Sequence, residues 1–267
     1  MNGYYLYRHA WRFEGAPHKE RKLTASECKE LLNKGGILVR NTFDFDTRNE
    51  TSFWYVVKDQ FGGFDELSSR TRNKVRRAKD NFEYKLVDLE FIRQNAYPII
   101  KETFTDYHTN DRPMSETIFN TYLDECAQST FDYWGIFDKR TTRFVGFCTV
   151  HIWDNCGEYG VSGIQTHYKH NASYPYYGLY FEMNRYYLNE HKFKYVTDSA
   201  RTITNHSEIQ DFLIHYFSFR KAYCQLEIHY RWWMKVAVNL LYPFRNIIKS
   251  PRVKAVLNME AMRRGEK

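Results

Sequence analysis

The run RFVGFCTVHIW (residues 143–153) constrains this chain more than any other stretch. It is apolar at odd and even positions alike, so both faces of a strand built from it must be covered. It lies between two further strand-like runs, FDYWGIF (131–137) and EYGVSGIQTH (158–167), and the intervening DKRTT and DNCG are turn sequences. Three such strands predict an antiparallel meander with an interior middle strand.

Helical spacing surrounds the meander. Leu67, Thr71, Val75, Ala78 and Phe82 recur at steps of three and four and form one side of a helix. The same stretch, SSRTRNKVRRAKDN (68–81), carries six Arg or Lys and one acid. All six cations fall off the apolar side, where they face water or an anionic ligand. Further helices are expected at 90–104, 115–128, 176–190 and 206–217, with a strand at KYVTDSA (194–200) and a closing strand pair near 219–230. Residues 1–65 read as a helix over 26–34, ended by Gly35-Gly36, followed by short strands at 37–39 and 53–57. The expected organisation is a small N-terminal segment (1–65), a main domain (66–230) and a basic tail (231–267).

Charge is unevenly distributed. Residues 231–267 hold nine Lys or Arg and two Glu, whereas the first 230 residues balance 30 basic against 30 acidic groups. The excess of +7 therefore belongs to the tail, which argues against a folded surface built to coat nucleic acid. The five cysteines are far apart and contain no CxxC pair. Neither a disulfide framework nor a zinc site is signalled, no metal is expected, and a reducing cytoplasm is the simplest location. No charged leader precedes an apolar run, and no stretch of about 18 apolar residues suggests a membrane span.

The element order from 66 to 230 resembles the GNAT acyltransferase superfamily: a meander, a helix, then strand, helix and closing strands. VGF (145–147), YVTDS (195–199) and NHSEIQDFLIHYFSFR (205–220) stand where that family has corresponding segments. RTRNKVRRAKDN (70–81) and YPYYGLYFEMNRYYLNEHKFKYVTDSA (174–200) are similar to segments of the FemAB-like, Fem-type branch. The resemblance implies an α+β fold: a mixed, mostly antiparallel sheet flanked by helices, with a small N-terminal α/β segment and a C-terminal amphipathic helix. It also implies a sheet that splays open between its fourth and fifth strands, where acyl-coenzyme A lies and an amine attacks the thioester.

On that resemblance, the main chain of Ile164, Gln165 and Thr166 would meet the donor. His167 would serve as base, Asp198 would orient the acceptor or a base, and Tyr216 is the candidate acid. The family's glycine-rich pyrophosphate loop is replaced by KHNASYPYYG (169–178), so Lys169, His170 and Ser173 are the candidate phosphate contacts. Acceptor contacts are expected from Tyr107, His108, Asp111 and Arg112 in the polar loop DYHTNDR, and from Arg201, Asn205 and His206.

The tail segment RWWMKVAVNLLYPFRNIIK (231–249) collects Trp233, Val236, Ala237, Leu240, Leu241, Phe244, Ile247 and Ile248 on one side, with Arg231, Lys235, Arg245 and Lys249 opposite. Such a basic amphipathic helix either packs on the body or lies on an anionic membrane. The expected function is transfer of an acyl group from a thioester donor, acyl-CoA or acyl carrier protein, to a small-molecule or lipid-linked amine of the cell envelope. The location is cytoplasmic or peripheral at the inner membrane face. Alternatives are an aminoacyl-tRNA-dependent transferase, with tRNA as partner, and a non-catalytic binding module.

Overall fold

The computed structural model describes residues 3–106, 114–203 and 208–266, and the chain forms two compact units. One unit is Val57–Asp198 with Phe212–Phe219; the other is Met1–Val56 with Ser199–Asp211 and Arg220–Lys267. The termini share a unit because their strands pair with each other.

The 57–198 unit contains the meander. Strands β5 (Phe82–Val87), β6 (Phe131–Asp138), β7 (Phe144–Trp153) and β8 (Cys156–Ile164) pair antiparallel, and β9 (Tyr195–Ala200) joins β8 in parallel. β7 is interior as its sequence demands, with Val145 through Val150 buried. Helices α3 (Leu89–Asn95), α4 (Tyr97–Asp106) and α5 (Glu116–Cys126) supply Ile92, Ile99, Ile100, Phe119 and Leu123 to a core with Phe147 of β7. The expected single helix over 90–104 is two helices, because Pro98 has no N–H to continue the ladder across Ala96. Helix α2 (Ser69–Asn81) is capped by Ser68, whose Oγ accepts from Thr71 N, and lies against α7 (Pro175–Asn184). Between β8 and α7 is the short helix α6 (Thr166–His170), and α7 runs on into a π-helical turn at Arg185–Glu190. Helix α8 (Glu208–Phe217) contributes its last six residues to this unit.

The other unit has strands β1 (Tyr4–Tyr7), β2 (Ala10–Phe13), β3 (Leu38–Phe43), β10 (Arg220–Tyr230) and β4 (Phe53–Lys58), neighbours in that order. The β1–β2 hairpin was not foreseen. β2 pairs parallel with β3, and β3 antiparallel with β10. β10 replaces the expected closing strand pair. Its eleven residues alternate in burial and contain no turn former, so nothing divides them. Helix α1 (Ala25–Asn33) starts in a capping box between Thr24 and Glu27 and buries Cys28 and Leu31. The tail is two helices, α9 (Trp232–Leu241) and α10 (Pro251–Arg263), joined through a tight turn at Tyr242–Phe244 where Pro243 interrupts the expected continuous run. Among the described residues, no helix is long and apolar enough to cross a membrane.

Candidate active site

β8 and β9 are paired at three positions only: Cys156 with Tyr195, Gly157 with Val196 and Glu158 with Thr197. Beyond Glu158 the register against β7 slips. Cys148 faces Ser162, whereas Val150 faces Tyr159, so β8 holds one residue more than β7 between these pairs. This bulge bends β8 where it leaves β9. Gly160 sits in the bulge, and a Cβ there would lie 2.6 Å from Thr149 Oγ1. The strands therefore separate, and Asp198, the residue after the last pair, borders the opening.

Asp198 is half-buried on β9. Burial pushes the Tyr159 and Tyr180 hydroxyls and the Cys148 thiol well above their ordinary pKa values, and the Asp198 charge pushes them further in the same direction. These groups are neutral near pH 7. Tyr159 donates to Asn184 Oδ1 at 2.7 Å. From Tyr180 a line of aromatic contacts runs through Phe212 of α8, 5.9 Å between centroids, to Tyr177 and Tyr216, at 4.9 and 5.3 Å from Phe212. At its far end stands Lys74 of α2. Its Nζ donates to Tyr177 Oη at 2.8 Å and lies 4.5, 5.1 and 5.3 Å from the ring centroids of Tyr177, Tyr216 and Tyr174. Tyr177 is raised first by burial and then by Tyr216, whose hydroxyl shares a hydrogen bond with it. The arrangement can hold a proton on Tyr177 and stabilise negative charge at either phenol with the Lys74 ammonium.

The cationic helix thus has two faces. Arg72 donates to Leu67 O, Lys79 pairs with Glu182 at 2.6 Å, and Lys74 enters the tyrosine cluster. Arg70, Arg76 and Arg77 are exposed. Lys74, Tyr174 and Tyr177 were not singled out as site residues from the sequence. The signal available was the Fem-like spacing of the Lys74 segment together with the tyrosine-rich start of α7.

The other expected site residues are dispersed. His167 is not at a strand end: β8 stops at Ile164, and His167 is exposed on α6, its ring 5.2 Å from that of Tyr168. Ile164 is fully buried, and its carbonyl accepts from Thr103 Oγ1 at 3.2 Å. The Gln165 amide donates to Val145 O at 3.0 Å and the Thr166 amide to Glu102 Oε1 at 2.8 Å. Lys169 is half-buried on α6, and His170 is that helix's last residue. Arg201 belongs to the other unit, where its backbone N–H donates to Trp54 O at 2.7 Å and its Nη1 to Ser52 O at 2.5 Å. Tyr107, His108, Asp111, Arg112, Asn205 and His206 lie outside the described residues.

The same residues test the fit of coenzyme A. A pyrophosphate needs free amides at a helix N-terminus and close backbone approach. Here the Gln165 and Thr166 amides are already engaged. Ser173 is buried, its hydroxyl donating to Tyr168 O at 3.2 Å and to Asn171. The turn into α7 passes through Tyr174 at φ 59° and Pro175, which has no N–H. At the one glycine of that first turn, Gly178, a Cβ would stand 2.1 Å from Tyr84 Oη, so Tyr84 fills the approach. These residues do not fit a coenzyme A pyrophosphate. Among the described residues, no group of His, Cys, Asp and Glu is placed to hold a metal ion.

No family model matches the sequence, and no curated protein does. Among solved structures, the crystal structure of FemX superposes with a TM-score of 0.55 at 10% identity, covering 74% of this chain and 73% of that one. The C-terminal domain of a putative lysylphosphatidylglycerol synthetase from Agrobacterium fabrum gives 0.41 at 8% identity over 67% of this chain, which spans 52% of that one. PaiA N-acetyltransferase from Thermoplasma acidophilum, in complex with coenzyme A, gives 0.31 at 13% identity over 41% of this chain and 74% of that one. The FemX superposition shows that the chain shares the α+β, GNAT-like fold of that structure.

Proposed function

We propose that the protein is an acyltransferase that moves an acyl group from a thioester onto an amine of a cell-envelope, sugar or lipid precursor on the cytoplasmic side of the membrane. The observation that carries this reading is the opening between β8 and β9, with Asp198 at its edge and the Tyr177–Tyr216–Lys74 cluster on the same unit. The amine nitrogen attacks the thioester carbon, forming a C–N bond. Asp198 takes the proton the nitrogen must lose, the C–S bond breaks, and the departing sulfur receives a proton from the Tyr216 hydroxyl. Lys74 holds the resulting phenolate until solvent reprotonates it. Of the thioester donors, a carrier-protein-borne acyl group suits this chain better than acyl-coenzyme A, because it brings no pyrophosphate to be cradled.

Arg70, Arg76 and Arg77, exposed on α2, favour a second reading in which the donor is the aminoacyl ester of tRNA and these cations meet its backbone. Incubating the protein with acyl carrier protein thioester, or with aminoacyl-tRNA, and amino-sugar and aminolipid acceptors separates the two by mass spectrometry of the product. Asp198→Asn should lower turnover about a hundredfold with little change in KM. Transfer from neither donor, or an Asp198→Asn variant as active as the parent, sinks the reading in favour of a non-catalytic module.

A further inference from the structure

The tail helix α9 is turned opposite to what packing on the body requires. Its inward residues are Met234 and Val238, which join Tyr242, Leu257 and Tyr230 in a small core with α10. The apolar side gathered by the sequence faces out. Trp232 is 80% exposed, Leu240 67% and Ile247 74%, and Trp233, Val236 and Phe244 are also exposed. Of that expected side only Ile248 reaches the core. α10 holds the orientation: Leu257 shares a core with Val238, and Arg264, which donates to the buried Glu260, also donates to Asn239 Oδ1 of α9 at 3.2 Å. The outward face is thus a fixed feature of this unit.

Charge identifies its occupant. From Ile228 to Met259 the chain contains six Lys or Arg and no Asp or Glu. Lys235, Lys249 and Arg252 are exposed, and none of them forms an ion pair among the described residues. A second copy of the chain seated on this face would set cations against cations. A bilayer carrying anionic headgroups matches both features at once, since tryptophans favour the headgroup boundary and lysines and arginines favour its negative potential. A groove between α1 and the start of α9, lined by Lys29, Leu32, Tyr230, Arg231, Trp232 and Trp233, opens beside the exposed tryptophans.

We propose that the outer face of α9, continued through Phe244 and Ile247, is a docking surface for an anionic lipid bilayer, on which the protein lies without spanning it. The docking does not depend on the acyl-transfer reading, because its test measures binding and not turnover. The full chain is sedimented with vesicles of phosphatidylcholine alone and of phosphatidylcholine with phosphatidylglycerol, at low and high salt. The expected result is binding to the anionic vesicles only, weakening as salt rises. Leu240→Glu with Ile247→Glu should reduce binding about tenfold or more, and Lys249→Glu with Arg252→Glu by a similar factor. All four positions are on the surface, so thermal melting should stay within a few degrees of the parent, which separates lost binding from lost folding. The proposal is overturned if the parent protein ignores anionic vesicles at low salt, or if the charge-inserted variants bind as well as the parent. It is likewise overturned if the parent is a dimer that Leu240→Glu with Ile247→Glu makes monomeric, with no vesicle binding by either.

Discussion

Lys74 Nζ donates to Tyr177 Oη at 2.8 Å and stands 5.1 Å from the Tyr216 ring centroid, joining the basic helix α2 to the start of α7 and the end of α8. A cation in contact with three tyrosine rings, and accepted by one of their oxygens, stabilises a phenolate more than a phenol. A charge that the sequence leaves facing water or an anionic ligand thus stands among three tyrosine rings.

Replacing Lys74 with Met keeps the side chain's length and removes its charge. Transfer activity should fall by about ten- to a hundredfold, and stability should change by no more than about 1 kcal/mol. Spectrophotometric tyrosine titration should show one phenol ionising at higher pH than in the parent. An unchanged titration curve together with unchanged turnover would remove Lys74 from the proton path.

The bulge at Gly160 makes a separate prediction. A methyl group there meets Thr149 Oγ1 at 2.6 Å and Tyr122 Oη at 3.3 Å, two hydroxyls that are themselves 2.7 Å apart and hydrogen-bonded. Gly160→Ala should therefore destabilise the protein by about 1–3 kcal/mol, measured as a shift in urea midpoint. Because the bulge opens β8 from β9, turnover at temperatures where the variant is folded should fall as well. A variant as stable and active as the parent would mean that the bulge relaxes freely and does not shape the opening.

The contrast between β7 and Lys74 shows what the sequence can carry. The meander was legible because burial on both faces leaves a continuous apolar run, and the period-two pattern of its neighbours is local. The splay was legible only through family resemblance. Its cause, one extra residue on β8 against β7, depends on register between two strands, and no local pattern records register. The single strand β10 stands where the family resemblance implies a closing strand pair, and its eleven residues hold no turn former that would divide them. The role of Lys74 was hidden because its partners Tyr177 and Tyr216 lie about a hundred and more positions away. The outward turn of α9 was hidden for a related reason. Its core partners sit on α10, whose mixed sequence carries little amphipathic signal, so the helix could not be oriented from its own residues alone.

His151 gives the fold a pH dependence. Its ring is stacked 4.1 Å from Phe131 and lies tilted 3.5 Å from Trp153, and its Nε2 lies 2.6 Å from Ser129 Oγ. Burial lowers its pKa from 6.5 to about 4. The folded state thus keeps the ring neutral where the unfolded chain would protonate it. The stability this confers is complete above pH 6.5 and is lost as the pH falls from 6.5 to about 4. The ring is partly open to water, which reduces the effect to about 1–2 kcal/mol. Urea unfolding at pH 7 and pH 5 should show this loss in the parent, and His151→Phe should flatten it. Parallel pH profiles for the two proteins would assign the acid sensitivity elsewhere.

Glu260 anchors the tail, and its loss should be felt in the arrangement of α9 and α10. Burial alone would raise its pKa, but hydrogen bonds from Arg263 and Arg264, with help from Tyr230, outweigh it and hold the carboxylate below its ordinary range. The distances are 2.6 Å to Arg263 Nη2, 2.7 Å to Arg264 Nε and 3.0 Å to Tyr230 Oη. Glu260→Ala leaves two half-exposed arginines and a half-buried tyrosine hydroxyl with no acceptor, a change that should cost about 1–3 kcal/mol. The damage should be local: hydrogen exchange should accelerate in α10 and α9 and at the end of β10, and the β6–β7–β8 meander should keep its protection. Glu260→Gln, which keeps an acceptor but not the charge, should fall between the parent and the alanine variant. Equal protection of α10 in all three proteins would mean that Leu257, Met259 and Met262 hold the helix by packing alone, and that the ion cluster merely accompanies them.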